Sequence, residues 1–289
     1  MFMFGECIMA QASLSIALPI GTVRYTDSGS GPALVFVHGV FVNGTLWRKV
    51  VPRLERHFRC IVPTLPLGAH DVPMNAAAGV SPHGVAQLIA DFLAALDLHD
   101  VTLVGNDTGG ALCQLVVAHH PERVARLVLT NCDSFENFPP ALLRPLYRCA
   151  RLPGIFGLLA QLFRAPFLQR AFFRTVAHRV PEPAVLAALF RPLRASADVR
   201  RDIAAFFAAL RGDELLLAAP SFARFAGTVL VAWGTNDLFF PLRDARRLAA
   251  AFAGATCIEI ADSRTFVSED QPMVLAESIE RFVGAPAAA

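Results

Sequence analysis

No stretch of this chain approaches the roughly 20 uncharged apolar residues that a membrane-spanning helix requires, although 54% of its 289 residues are hydrophobic. That apolar content must go into a large core instead. An excess of either charge is lacking too: 26 Lys and Arg stand against 24 Asp and Glu, a formal net charge of +2, with no run of five like charges. Such a balance gives no support to a nucleic-acid partner. The six cysteines (Cys7, Cys60, Cys113, Cys132, Cys149, Cys257) show neither C-x-x-C nor Cys/His metal spacing. They read as small buried hydrophobes in a reducing cytoplasm, and neither metal nor cofactor is expected. The N-terminal Met1–Ile8 is apolar but lacks a cationic start and is interrupted by Glu6, which makes it a poor signal peptide. Residues 1–12 are expected to be a flexible extension.

What the chain does have is alternation. Strand patterns fall at 13–18, 22–26, 33–37, 60–63, 101–104, 127–130, 229–233 and 257–260, and helical patterns at 46–57, 82–96, 111–119, 242–253 and 269–282. The central strands are continuous apolar runs, as expected where both faces are covered. Strands alternating with helices predict an α/β fold with a mostly parallel eight-stranded sheet, helices on both faces, and an antiparallel hairpin around Pro19–Gly21 at one edge. Between Ser134 and about Pro220 the pattern turns helical, broken by Pro139–Pro140, Pro153–Gly154, Pro166, Pro181 and Pro183. The expected organisation is a core of residues 13–133 and 220–285 with a helical cap inserted at 134–219.

The most informative stretch is Gly105-Asn106-Asp107-Thr108-Gly109-Gly110, where a strand turns abruptly into a helix. Glycines on both sides let the backbone bend tightly enough to lift the central side chain clear of both elements. Asp107 is therefore the candidate nucleophile, with an N-cap role as the alternative. Ala33–Gly39 ends a strand in His38-Gly39, Leu46-Trp47-Arg48 follows, and Thr228–Asp237 is a further strand whose loop ends in an acid.

Together these motifs, over roughly Ile16 to Phe282, resemble the α/β-hydrolase fold in its Asp-nucleophile branch, that of haloalkane dehalogenases and epoxide hydrolases. The resemblance implies that Asp107 attacks a saturated carbon to leave an ester. It also implies that the N–H groups of Val40 and Thr108 form an oxyanion hole, that Asp237 is the acid with Asp133 at the alternative acid position, and that His38, Phe41, Trp47 and Tyr147 line the substrate pocket. Asp237 also reads as an ordinary turn aspartate, and His38 as a turn histidine. The family's base is a histidine just past the last strand, where this chain has Thr265, 28 residues after Asp237. Threonine is no base at neutral pH. His70, on the loop after the fourth strand, is the candidate replacement base, or else a loop-packing residue.

Substrate signals are missing. The halide-gripping Trp after the nucleophile is Thr108, the Asn after His-Gly is Val40, and the cap tyrosines that serve epoxides are reduced to Tyr147. Three readings follow for a protein expected to be cytoplasmic with a small-molecule partner: a hydrolase with a relocated base; a non-hydrolytic isomerase, lyase or cyclase using Asp107 as general base; or a silent binding protein. In the inserted segment, residues 137–181 hold seven arginines and no acidic residue. That composition fits an anionic substrate or an anionic membrane surface, or, more plainly, a solvated arginine face over an apolar underside packed on the core.

Overall fold

The computed structural model describes residues 13–77 and 79–284, without the side chain of Leu146. The expected N-terminal extension thus lies outside the described residues.

Eight strands form one sheet: β1 (Leu14–Leu18), β2 (Gly21–Ser28), β3 (Ala33–Val37), β4 (Arg59–Thr64), β5 (Val101–Asp107), β6 (Val124–Cys132), β7 (Thr228–Gly234) and β8 (Thr256–Ile260), in the order β1-β2-β4-β3-β5-β6-β7-β8. β1 and β2 pair antiparallel, as do β2 and β4; every other pair is parallel. The apolar runs of β3, β5 and β7 are buried along nearly their whole length, whereas the edge strands β1 and β8 are largely exposed. This follows from crossover helices packing on the central strands and leaving the rims to water.

The helices are α1 (Val51–Leu54), α2 (Pro82–Ala95), α3 (Thr108–His119), α4 (Arg144–Cys149), α5 (Ile155–Leu162), α6 (Pro166–Val176), α7 (Pro183–Ala195), α8 (Ala197–Ala209), α9 (Glu214–Ala218), α10 (Leu242–Ala251), α11 (Val267–Asp270) and α12 (Pro272–Gly284). Two of them depart from the sequence pattern. The helix expected over 46–57 is a 3-10 turn (Gly44–Trp47) followed by the four-residue α1. Pro52 explains the break, since a proline ring cannot continue a helix begun before it. Likewise the helix expected over 269–282 splits at Gln271, whose backbone leaves the helical region (φ −135°, ψ 55°) before Pro272.

Helices α4 to α9 all lie between β6 and β7. They meet the loops at the carboxyl ends of the strands: Phe41, after β3, touches Phe156, Phe172 and Phe207, and Phe266, after β8, touches Phe173. Aromatic contacts at centroid separations of 5.7–6.4 Å form an apolar seam above that end of the sheet.

Candidate active site

Asp107 occupies the step from β5 to α3 with φ 55° and ψ −135°, a conformation that strains a non-glycine residue. The neighbours are small because nothing larger fits. A Cβ on Gly105 would lie 2.7 Å from the Cα of Gly110, and a Cβ on Gly39 would overlap the Asp107 carboxyl itself. The Asp107 side chain makes no capping bond to α3. Its carboxyl lies against Gly39, and the main-chain N–H groups of Thr108 and Val40, from the turns after β5 and β3, act on it to lower its pKa.

Electrostatics set the ionisation of this group. Burial, then the nearby charge of Asp237, raise the Asp107 pKa to about 7, against the opposing pull of the two N–H groups. Part of the residue still meets solvent. Asp133 is fully buried; its Oδ2 accepts the Thr108 hydroxyl at 3.1 Å, while Oδ1 has no partner among the described residues. Burial first, and Asp107 second, push its pKa well above the usual carboxylate range. Tyr147 is buried near Asp133 and Asp107, and its burial, then their charges, push its pKa well above the usual tyrosine range. Tyr147 and Phe207 line a cavity of about 420 Å³ rimmed by Arg144, Arg148, Arg151 and Arg211. Tyr147 thus belongs both to the surroundings of the elbow and to an opening toward solvent.

Asp237 is anchored on four sides. Its Oδ1 accepts the N–H groups of Phe239 (2.8 Å) and Phe240 (3.2 Å) and the Thr265 hydroxyl (3.0 Å), while Oδ2 accepts Asn131 Nδ2 (2.7 Å). Burial raises its pKa, and these donors hold the rise in check. The ordinary turn role, capping the loop N–H groups, is therefore present along with a bond to Thr265. Thr265 is fully buried, and its main-chain oxygen accepts Asn106 Nδ2 at 2.7 Å.

Two site residues were missed by the sequence reading. Asn131 locks the end of β6 to β7 through both Gly234 groups while holding Asp237. Asn106 ties the elbow to the Thr265 loop. Their signal was an amide inside an otherwise apolar strand, a placement that calls for hydrogen-bond partners, which Asn106 finds for its Nδ2 but not, among the described residues, for its Oδ1.

For His70 and His38 the packing and turn alternatives hold against the base and pocket roles, and the pocket role of Trp47 is corrected. His70 is buried with its Nδ1 accepting Gly68 N–H (3.4 Å) and its Nε2 against Asp202 (3.2 Å), so both ring nitrogens are engaged away from Asp107 and it is no replacement base. His38 braces its loop rather than lining a pocket: Nδ1 donates to Gly39 O (2.8 Å) and Nε2 accepts Leu65 N–H (2.9 Å). Burial lowers its pKa to about 4, which keeps the ring neutral. Trp47 is a core side chain, fully buried and tilted on Phe36. Phe41, in contrast, sits in the aromatic seam with φ 58°.

Comparison with known proteins gives the family. Residues 32–272 match the alpha/beta hydrolase fold family. The chain belongs to that family. Haloalkane dehalogenase 2 of Mycobacterium tuberculosis is 29% identical over 275 residues, covering 91% of this chain and 92% of that protein. A haloalkane dehalogenase of Mesorhizobium japonicum is 30% identical over 161 residues, 51% of this chain and 50% of that one. Among solved structures, an alpha/beta hydrolase fold protein from Burkholderia ambifaria superposes with a TM-score of 0.79 at 22% identity, covering 92% of this chain and 96% of the other.

Proposed function

We propose that this protein is a hydrolase in which Asp107 attacks a saturated carbon of a small organic substrate and Asp237, acting through Thr265, replaces the usual histidine. The observation that carries the reading is the strained bend at Asp107, which sets its carboxyl against Gly39 beside the main chain of Val40 and Thr108. One carboxylate oxygen attacks the carbon, and the bond to the leaving group breaks with its electron pair. The resulting ester carbonyl then faces two preorganised donors, which stabilise the oxyanion formed when water adds to Cγ. Thr265 already donates to Asp237 at 3.0 Å, so a water bonded to its hydroxyl can pass a proton through it to the carboxylate. Collapse of the oxyanion expels the alkoxide, which takes the proton of the added hydroxyl to leave as the alcohol, so Asp107 is restored as a carboxylate and Asp237 gives its proton to solvent. A carboxylate is a weaker base than imidazole, and the ester step is the slow one. Helices α4 to α9 serve as a cap, and the cavity beside Tyr147 as the way in.

The raised pKa of Asp107 favours a second reading, in which it moves a proton instead of forming an ester. Intact mass spectrometry after incubation with a panel of alkyl halides and epoxides decides between them. An adduct on Asp107, absent in Asp107→Asn and lost slowly, is the expected result. Turnover with no adduct, together with substrate deuterium exchange, would replace the nucleophile by a general base. No adduct, no exchange and no product across the panel would leave a binding protein.

A further inference from the structure

The outer face of α4 to α6 does not follow the plainer reading of its sequence. That reading puts the apolar side chains underneath and leaves only arginine outside. In the structure Leu142, Leu152, Leu158, Leu162 and Phe167 all point to solvent, at 67%, 59%, 56%, 46% and 69% exposure. Leu158 and Leu162 stand one turn apart on α5, and Phe167 shares a face of α6 with Arg170 and Arg174. All seven arginines of residues 137–181 are exposed. None forms an ion pair among the described residues, although acidic partners are found for most basic side chains elsewhere. Both α5 and α6 pack on α7, and Phe163 at the end of α5 meets Phe172 of α6 at 5.6 Å, which sets the two helices side by side.

We infer that this face docks on an anionic lipid surface, with the exposed leucines and Phe167 entering the headgroup boundary and the arginines meeting lipid phosphates. Neighbouring exposed apolar side chains rimmed by charge, such as Leu158 and Leu162 on α5, mark an interaction site, and the unrelieved positive charge selects a negatively charged partner over a second copy of the same face, which would repel. Arg144, Arg148 and Arg151 also rim the cavity that reaches Tyr147. Docking brings that opening to the membrane.

Co-sedimentation of the full chain with phosphatidylcholine vesicles, with and without about 30% phosphatidylglycerol, tests this inference separately from any catalytic role. Binding to the anionic vesicles is expected to exceed binding to the neutral ones by about tenfold or more and to fall at about 0.5 M salt, where screening is short-ranged. The triple variants Leu158→Ser/Leu162→Ser/Phe167→Ser and Arg164→Glu/Arg170→Glu/Arg174→Glu are expected to lose it with unchanged melting temperature, since those side chains support no core. Should a variant misfold, slowed hydrogen exchange over 155–174 in the parent protein on adding anionic vesicles supplies the supporting result. Equal binding to both vesicle types, no binding, or a dimer abolished by the same substitutions would overturn the proposal.

Discussion

At position 107 burial and the nearby charge of Asp237 raise the carboxyl pKa to about 7, and that shift bears on both chemistry and stability. Attack requires the anion. The rate of adduct formation is therefore expected to rise with pH and level off above about 7, which stopped-flow or quench-mass measurements at fixed ionic strength can follow. Folding has the opposite sign. The folded chain holds this proton up to about pH 7 whereas the unfolded chain loses it near 3.8, so the stability this group supports is complete below about pH 4 and is lost as pH rises through 7. Asp107→Asn should thus exceed the parent in stability by about 2 kcal/mol at pH 8, with the gap closing toward pH 4, in denaturant titrations at the two pH values. At position 265 the hydroxyl alone carries the proposed relay. Thr265→Val is expected to leave the first half-reaction intact and to slow ester loss by about 10²-fold or more, read as a longer-lived adduct mass; unchanged decay would remove Thr265 from the mechanism.

At the scale of elements, the elbow depends on how closely β5, α3 and the turn after β3 approach one another. Gly105→Ala places a methyl against Gly110 and the Cys113 sulfur, 2.7 and 2.9 Å from the new Cβ. A loss of about 1–3 kcal/mol is expected by thermal or chemical unfolding. The loop carrying Thr265 has its own anchor in Asp270, which accepts the N–H groups of His178 (3.1 Å), Arg179 (2.8 Å) and Arg264 (3.0 Å). Asp270→Ala strands three donors, and a cost of about 3 kcal/mol with faster amide exchange over 264–270 is the expected outcome. Element boundaries show what was legible. The central strands β3, β5 and β7 were readable because buried parallel strands demand continuous apolar runs. The breaks at Pro52 and Gln271 were not, because a hydrophobic period continues across a proline that the backbone cannot follow.

At the scale of the whole molecule, segments far apart in sequence complete each other. Glu269, its side chain 1% exposed, is flanked by Arg48 and by Lys49 at 2.9 Å, joining the turn after β3 to the loop after β8. Glu269→Ala should cost about 3 kcal/mol in urea unfolding, since it leaves two cations without their shared partner. Sequence by itself determined the order of elements, the tight bend at Asp107 and the departure at Thr265, because apolar periodicity and the steric demands of glycine act over a few residues. Only the tertiary structure decided that His70 turns to Asp202, that Asn131 and Asn106 bind Asp237 and the Thr265 loop, and that leucine and arginine share the outer face of α4 to α6. Those outcomes depend on which buried polar groups find partners across long chain separations, and no local pattern records the meeting.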